Sequence, residues 1–281
     1  MHITIKGEFG KSSYGRTGLF LLAALMALAV FAPVVAPYDP NHQTRLSFEP
    51  PSWCHILGTN HVGQDNWSRL VYGARTSLLV GFGVALLATT ISATVGGTCG
   101  LKGGLYDAVM MRLADALLIL PAVVILITIS AYVKPRIYLL IILISSLSWP
   151  GGARIVRSQT LSLKERPHIW AARSFGASTR YILHRHIIPD LGPVLVVEFI
   201  HAFKRGVFME AGLAFLGIGD PMVVSWGTIM KNAVDYSYMK VWACWLIPAG
   251  LALSFAILSL TLIGHTLEPV MEPRLREQAR A

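Results

Sequence analysis

Three ionisable residues recur at helical spacing inside an otherwise apolar stretch: Glu198, His201 and Arg205, at i, i+3 and i+7. On a helix they fall within roughly 60° of one face, with Lys204 and Glu210 pointing elsewhere. Ionisable groups at membrane depth are costly, turn to a bundle interior or to water, and mark function by default. The Glu198/His201/Arg205 face is therefore a candidate lining for a solute path, and an internally paired structural patch is the competing reading. An intramembrane active site would need a nucleophile at helical spacing, which this set lacks. Glu198 and His201 could offer two metal ligands, but Arg205 beside them repels a cation and no third ligand is suitably spaced. His184 and His186 lie two apart in a basic stretch and diverge on a helix, so they read as solvated or interfacial. Gly10-Lys11-Ser12 echoes the end of a phosphate loop, yet Ile5 stands where that motif needs Gly and a membrane span follows. Neither a metal, a cofactor nor a nucleotide site is expected. Asp107, beside Lys102 and Arg112, and Asp115 at a helix end read as interfacial partners rather than proton carriers.

The elements that must position these residues follow from composition. Of 281 residues 54% are apolar and only 14% charged, with a mean hydropathy of +0.56, whereas a soluble domain carries about 25% charge. The charge is confined to short intervals between long apolar runs, which is the pattern of a polytopic all-α protein in contact with lipid. The net charge of +9 comes from residues flanking those runs rather than from one soluble face, which excludes nucleic acid as a partner. Cys54, Cys99 and Cys244 have no spacing that suggests disulfides or a metal knuckle.

Six spans are expected, since roughly 20 residues cross the hydrocarbon layer. They are placed at 18–36, 77–100, 113–133, 137–153, 187–217 and 241–267. The first could be a cleaved signal, but Ala32-Pro33 and Ala36-Pro37 set prolines where a peptidase would cut, which favours an uncleaved span. Pro121 predicts a kink in the third. The fourth is long enough only if Trp149-Pro150-Gly151-Gly152 belongs to it. Gly81, Gly83, Ala85, Gly96 and Gly97 permit close helix approach in the second. The Lys and Arg balance places the tail 1–17, the 101–112 loop, the 154–186 loop and the tail 268–281 in the cytoplasm. The basic residues counted there are Lys6, Lys11, Arg16, Lys102, Arg112, those of the 154–186 loop, Arg274, Arg276 and Arg280. The segments 37–76 and 218–240 lie outside; Lys134 is counted on that face, and the former is an interfacial helix or small cap.

The longest polar interval, Arg154 to Pro189, carries Arg154, Arg157, Lys164, Arg166, Arg173, Arg180 and Arg185 against Glu165 as its acid before Pro189. Pro167 suits a first helical turn, Ala171 and Ala172 are strong helix formers, and Gly176 suits a stop. The expectation is a short, alanine-faced helix with a basic rim, shaped to enter a socket on another protein.

Ala171-Ala172 with Gly176 and the later Pro189 resembles the "EAA" loop of ABC-transporter permease subunits. His55-Ile56-Leu57-Gly58-Thr59-Asn60 through Ser68-Arg69-Leu70 to Arg75-Thr76-Ser77-Leu78, Met111-Arg112-Leu113-Ala114-Asp115 with Pro121, Glu210 to Gly219 with Ser225-Trp226-Gly227, and Glu268-Pro269 to Arg276 are similar to the dipeptide/oligopeptide/nickel branch, in particular its second permease. The resemblance runs from about residue 19 through almost the whole chain. It implies an ABC importer type I permease fold with a transmembrane domain over 77–267. It also implies a homologous second permease, two ATPase subunits and an external substrate-binding protein as partners, with ATP hydrolysed by the partners. The implied cargo is peptides, with nickel or a nickel chelate as the alternative, moved by alternating access. By the same resemblance Trp170, Ala171, Ala172, Arg173, Gly176, Ala177 and Arg180 contact an ATPase, and Glu210 joins the path candidates. The chain departs from the pattern at Trp170, where the family carries Glu: an acidic contact gives way to an aromatic anchor. A self-sufficient secondary transporter would show inverted repeats and an ion relay, and neither is visible.

Overall fold

The computed structural model describes residues 12–133, 136–220 and 222–271, with side chains to Leu267. Lys6, Gly10, Lys11, Lys134, Arg274, Arg276 and Arg280, all invoked above, lie outside the described residues, as does most of the tail 268–281. The elements in order are α1 (Ser13–Val30), α2 (Ala32–Val35), α3 (Asn66–Lys102), α4 (Gly104–Ile119), α5 (Ala122–Tyr132), α6 (Ile137–Leu163), α7 (Pro167–Ser174), α8 (Thr179–Ile182), a π-helical turn (Leu183–Ile187), α9 (Ile188–Asp190), α10 (Gly192–Phe215), α11 (Trp226–Asp235) and α12 (Ala243–Met271). Among the described residues no strand occurs beyond a single bridge between Thr59 and Asp65.

Four helices are long and apolar enough to cross a membrane, and six spans result if each of two bent pairs counts as one. One bend, of 84°, separates α4 from α5 at Leu120–Pro121, where the sequence predicts a kink. The other, of 76°, separates the segment 179–190 from α10.

At the centre α3 packs along α6 and α10. Small residues set those distances. A side chain at Gly96 would run into the Ala153 carbonyl and Val156, and one at Gly206 would meet Val84 and the Gly81 backbone. The α12 helix closes the other flank against α1, α10 and α11.

Three boundaries depart from the sequence expectation. The second apolar run begins as helix at Asn66, because the Asp65 carboxylate accepts the Ser68 N–H at 2.7 Å and caps the start. The fourth does not stop at 153; α6 continues through Pro150 to Leu163. Carbonyls beside the proline are held from outside, Trp149 by the Ser92 hydroxyl (2.9 Å) and Ser148 by Arg205 (3.0 Å). The 218–240 segment is not a plain loop, since Ser225 and Thr228 form a reciprocal capping box that starts α11.

Segment 37–65 is an irregular cap rather than an interfacial helix. It is tied by hydrogen bonds from Glu49 N–H to Thr59 Oγ1 (3.0 Å) and between His55 Nδ1 and Asp65 Oδ1 (2.9 Å).

Candidate functional site

The short helix of the central interval is α7. Pro167 opens it and a Schellman closure ends it: the Ala177 N–H reaches the Ala172 carbonyl (3.0 Å) and the Gly176 N–H the Arg173 carbonyl (2.9 Å). Gly176 sits at φ +78°, a conformation that costs glycine nothing.

Ile169 faces inward and is fully buried with Leu101, Val156, Leu163, Ile182, Leu183, Ile187 and Leu191. That cluster joins the ends of α3 and α6 to the foot of α10, so displacement of α7 would be felt by all three. Trp170 and Phe175 face outward, 56% and 91% exposed, with Ala171 also exposed and Ala172 and Ala177 half-buried. Arg173 is solvent-exposed, and one guanidinium nitrogen turns back to donate to the Leu101 carbonyl (3.4 Å), tying α7 to the end of α3. Arg180, with Ser178, Tyr181, His184 and Arg185, lines a shallow basic cleft. His186 is half-buried beside His168 and Tyr181.

Above this region α4 is clamped to α6 by two ion pairs. Arg157 holds Asp107 through two nitrogens at 2.5 Å each, and Arg154 pairs with Asp115. The partner of Asp107 is thus on α6 rather than Lys102 or Arg112; Lys102 lies over the Tyr106 ring. Sequence proximity could not reveal this, because the pairs join residues far apart in the chain.

The ionisable residues of α10 divide. Glu198 is buried against Ser92 and Gly152, where any side chain at 152 would strike its carboxylate. His201 and Arg205 face the cleft beside α12, and Lys204 lines it with them. The expectation that Lys204 points elsewhere is therefore corrected: at 100° per residue it falls beside His201, and α12 leaves that edge open. Glu210 does lie apart. It accepts from the Ser77 hydroxyl (2.9 Å), which in turn accepts the Trp226 N–H (3.4 Å), while the Trp226 indole donates to the Leu70 carbonyl (3.1 Å). Gly227 lies against Ala211 and Ala214 with no room for a side chain. Glu210 and the Ser225-Trp226-Gly227 stretch thus form one lock pinning α11 to α3 and α10. Ser77 lies in the His55-to-Leu78 stretch that resembles the family pattern, but its bond to Glu210 joins residues far apart in the chain and was not legible there. Among the described residues no three His, Cys, Asp or Glu side chains are grouped to hold a metal ion.

Comparison with known proteins extends this picture. Residues 85–277 match the family described as binding-protein-dependent transport system inner membrane component, and residues 8–51 match the N-terminal TM domain of oligopeptide transport permease C. A protein of Brucella suis biovar 1 (strain 1330) named as a peptide transport system permease is 40% identical over 266 residues, 93% of this chain and 88% of that protein. A peptide permease protein of Brucella ovis (strain ATCC 25840 / 63/290 / NCTC 10512) is 34% identical over 260 residues, 92% and 86% of the two chains. The dipeptide transport system permease protein DppC of Bacillus subtilis (strain 168) is 31% identical over 268 residues, 95% and 83%. The all-helical architecture agrees with an ABC importer permease, located in the inner membrane and passing it several times. On the extent of these matches, the chain belongs to the family of binding-protein-dependent transport system inner membrane components.

Proposed function

We propose that this chain is one of two permease subunits of an ATP-driven importer that carries peptides into the cytoplasm by alternating access. A homologous permease completes the passage, two ATPase subunits supply the work, and an external binding protein delivers cargo. Both termini and α7 lie on the cytoplasmic face, as the Lys and Arg distribution requires. The observation that carries the reading is α7 itself: an eight-residue helix anchored by one buried isoleucine, with Trp170 and Phe175 presented outward. Aromatic side chains on a small-residue helix suit insertion into a cleft on another protein, and the Ile169 cluster gives the motion a path into α3, α6 and α10.

The passage runs along the α10 face that bears His201, Lys204 and Arg205. Peptide cargo is supported by the names of the relatives, and a nickel cargo is opposed by the cations on that face. The test is co-purification followed by uptake. The tagged chain should bring down ATPase subunits, and vesicles holding the complex and binding protein should accumulate a labelled dipeptide only with ATP. Uptake by the isolated chain, without an ATPase, would overturn the reading.

A further inference from the structure

Lys204 stands near the middle of α10, roughly 17 Å from either end at 1.5 Å per residue. With His201, Arg205, Phe208, Ile257 and Thr261 it lines a cleft of about 370 Å³ between α10 and α12. A second hollow sharing His201 and Lys204 extends along α12 to His265. Among the described residues no carboxylate forms an ion pair with Lys204 or Arg205. Of the two acids of α10, Glu210 is engaged on Ser77, and Glu198, buried beside Ser92 and Gly152, feels the charge of Arg205 without forming an ion pair with it. Arg205 gives one nitrogen to the Ser148 carbonyl and keeps further donors for another partner. Two adjacent cations at this depth, with Glu198 acting on Arg205 only from beyond ion-pair distance and no carboxylate paired with Lys204, are costly unless an anion or water meets them.

We propose that this cleft receives a carboxylate of the translocated solute. Lys204 and Arg205 would act as charge-assisted donors, and Phe208 and Ile257 would form the apolar wall beside them. The inference rests on the peptide-importer reading and adds to it a charge preference located in the permease. A divalent cation would meet repulsion at the same place.

The test uses the complete importer in phosphatidylcholine vesicles and compares each variant with the wild type for each peptide, so that selection by the binding protein cancels. The peptides are Ala-Ala, Ala-Glu amide and Ala-Ala amide. Lys204→Gln, which leaves the Arg205 bond to Ser148 intact, should lower kcat/KM for the peptides that carry a carboxylate about tenfold or more relative to its effect on Ala-Ala amide. Which of Ala-Ala and Ala-Glu amide suffers more tells a main-chain from a side-chain carboxylate. Thr261→Glu, placed on the facing helix, should give the same pattern without removing a cation, which guards against a folding defect in the Lys204 variant. Equal losses for all three peptides would overturn the inference. So would losses that appear only with phosphatidylglycerol present, which would assign the cations to lipid phosphate. Failure of the variants to bind the second permease would assign them to an acid on that subunit and overturn it too. A wild-type complex that moves none of the peptides would instead sink the importer reading, a distinct result.

Discussion

Ile169→Ala is the most informative single perturbation of the coupling region. Ile169 is fully buried among Leu101, Val156, Leu163, Ile182, Leu183, Ile187 and Leu191, and truncating such a residue costs about 2–5 kcal/mol. The other side-chain ties of this helix are exposed and polar, Arg173 to the Leu101 carbonyl at 3.4 Å and His168 and the capping Arg166 to Asp190 at 3.6 and 3.1 Å, each worth about 1 kcal/mol or less. The largest single part of the attachment therefore lies in one side chain. A loss of even 2 kcal/mol shifts the docked-to-undocked ratio of α7 about thirtyfold. The spans keep their own packing, so the complex should still assemble and hydrolyse ATP. What should fall is the number of peptides moved per ATP, measured as uptake against phosphate release in the same vesicles. Trypsin should also cut faster at Arg173 and Arg180. Trp170→Ala should behave differently, weakening ATPase retention while leaving the tryptic pattern unchanged. An Ile169→Ala importer whose uptake per ATP and cleavage rate both match the wild type would refute the reasoning.

Three further outcomes are expected. Asp107→Asn should cost about 1 kcal/mol, since the pair it breaks is partly exposed (33% and 14% for the Arg157 and Asp107 side chains), and Asp107→Arg with Arg157→Asp should recover much of the lost thermal midpoint. Glu210→Ala removes the acceptor of Ser77 beneath Trp226 and should destabilise the chain by about 2–4 kcal/mol in detergent melts, with Glu210→Gln milder. His61 is held below its ordinary pKa of 6.5 by burial and by nearby Arg69, with Asp235 pulling the other way. The unfolded cap then binds a proton that the folded cap resists, so its contribution to stability is full above about pH 6.5 and declines as pH falls toward the lowered folded value. Hydrogen exchange across 37–65 should speed up at pH 5 relative to pH 8 beyond the intrinsic rate, and His61→Phe should remove that excess.

The helical elements and the short helix α7 were legible because their signals are local. Pro167, Ala171, Ala172 and Gly176 specify a start, a body and a stop within a few residues, and α7 follows them from Pro167 to Ser174. Pro121 marked the break between α4 and α5 in the same way. What stayed hidden depended on neighbours distant in sequence. Helix α6 runs on past Pro150 to Leu163, and the Trp149 and Ser148 carbonyls beside the proline bond to Ser92 and Arg205 on other helices. Asp107 chose Arg157 over nearer cations because α6 lies against α4. The early start of α3 was readable in principle, since Asp65 three residues before Ser68 is a capping spacing. The grouping of Lys204 with His201 and Arg205 required knowing where α12 stops covering α10.

The central claim is that an ATPase on another polypeptide drives this bundle through α7. The most direct measurement places a thiol on that helix, Trp170→Cys in a Cys54→Ser background, with Cys99 buried and Cys244 half-buried. A membrane-impermeant maleimide should label it in inverted but not in right-side-out vesicles, and a short bifunctional reagent should join it to an ATPase subunit with a yield that changes on ATP binding. Labelling of that position from outside intact cells would contradict the account.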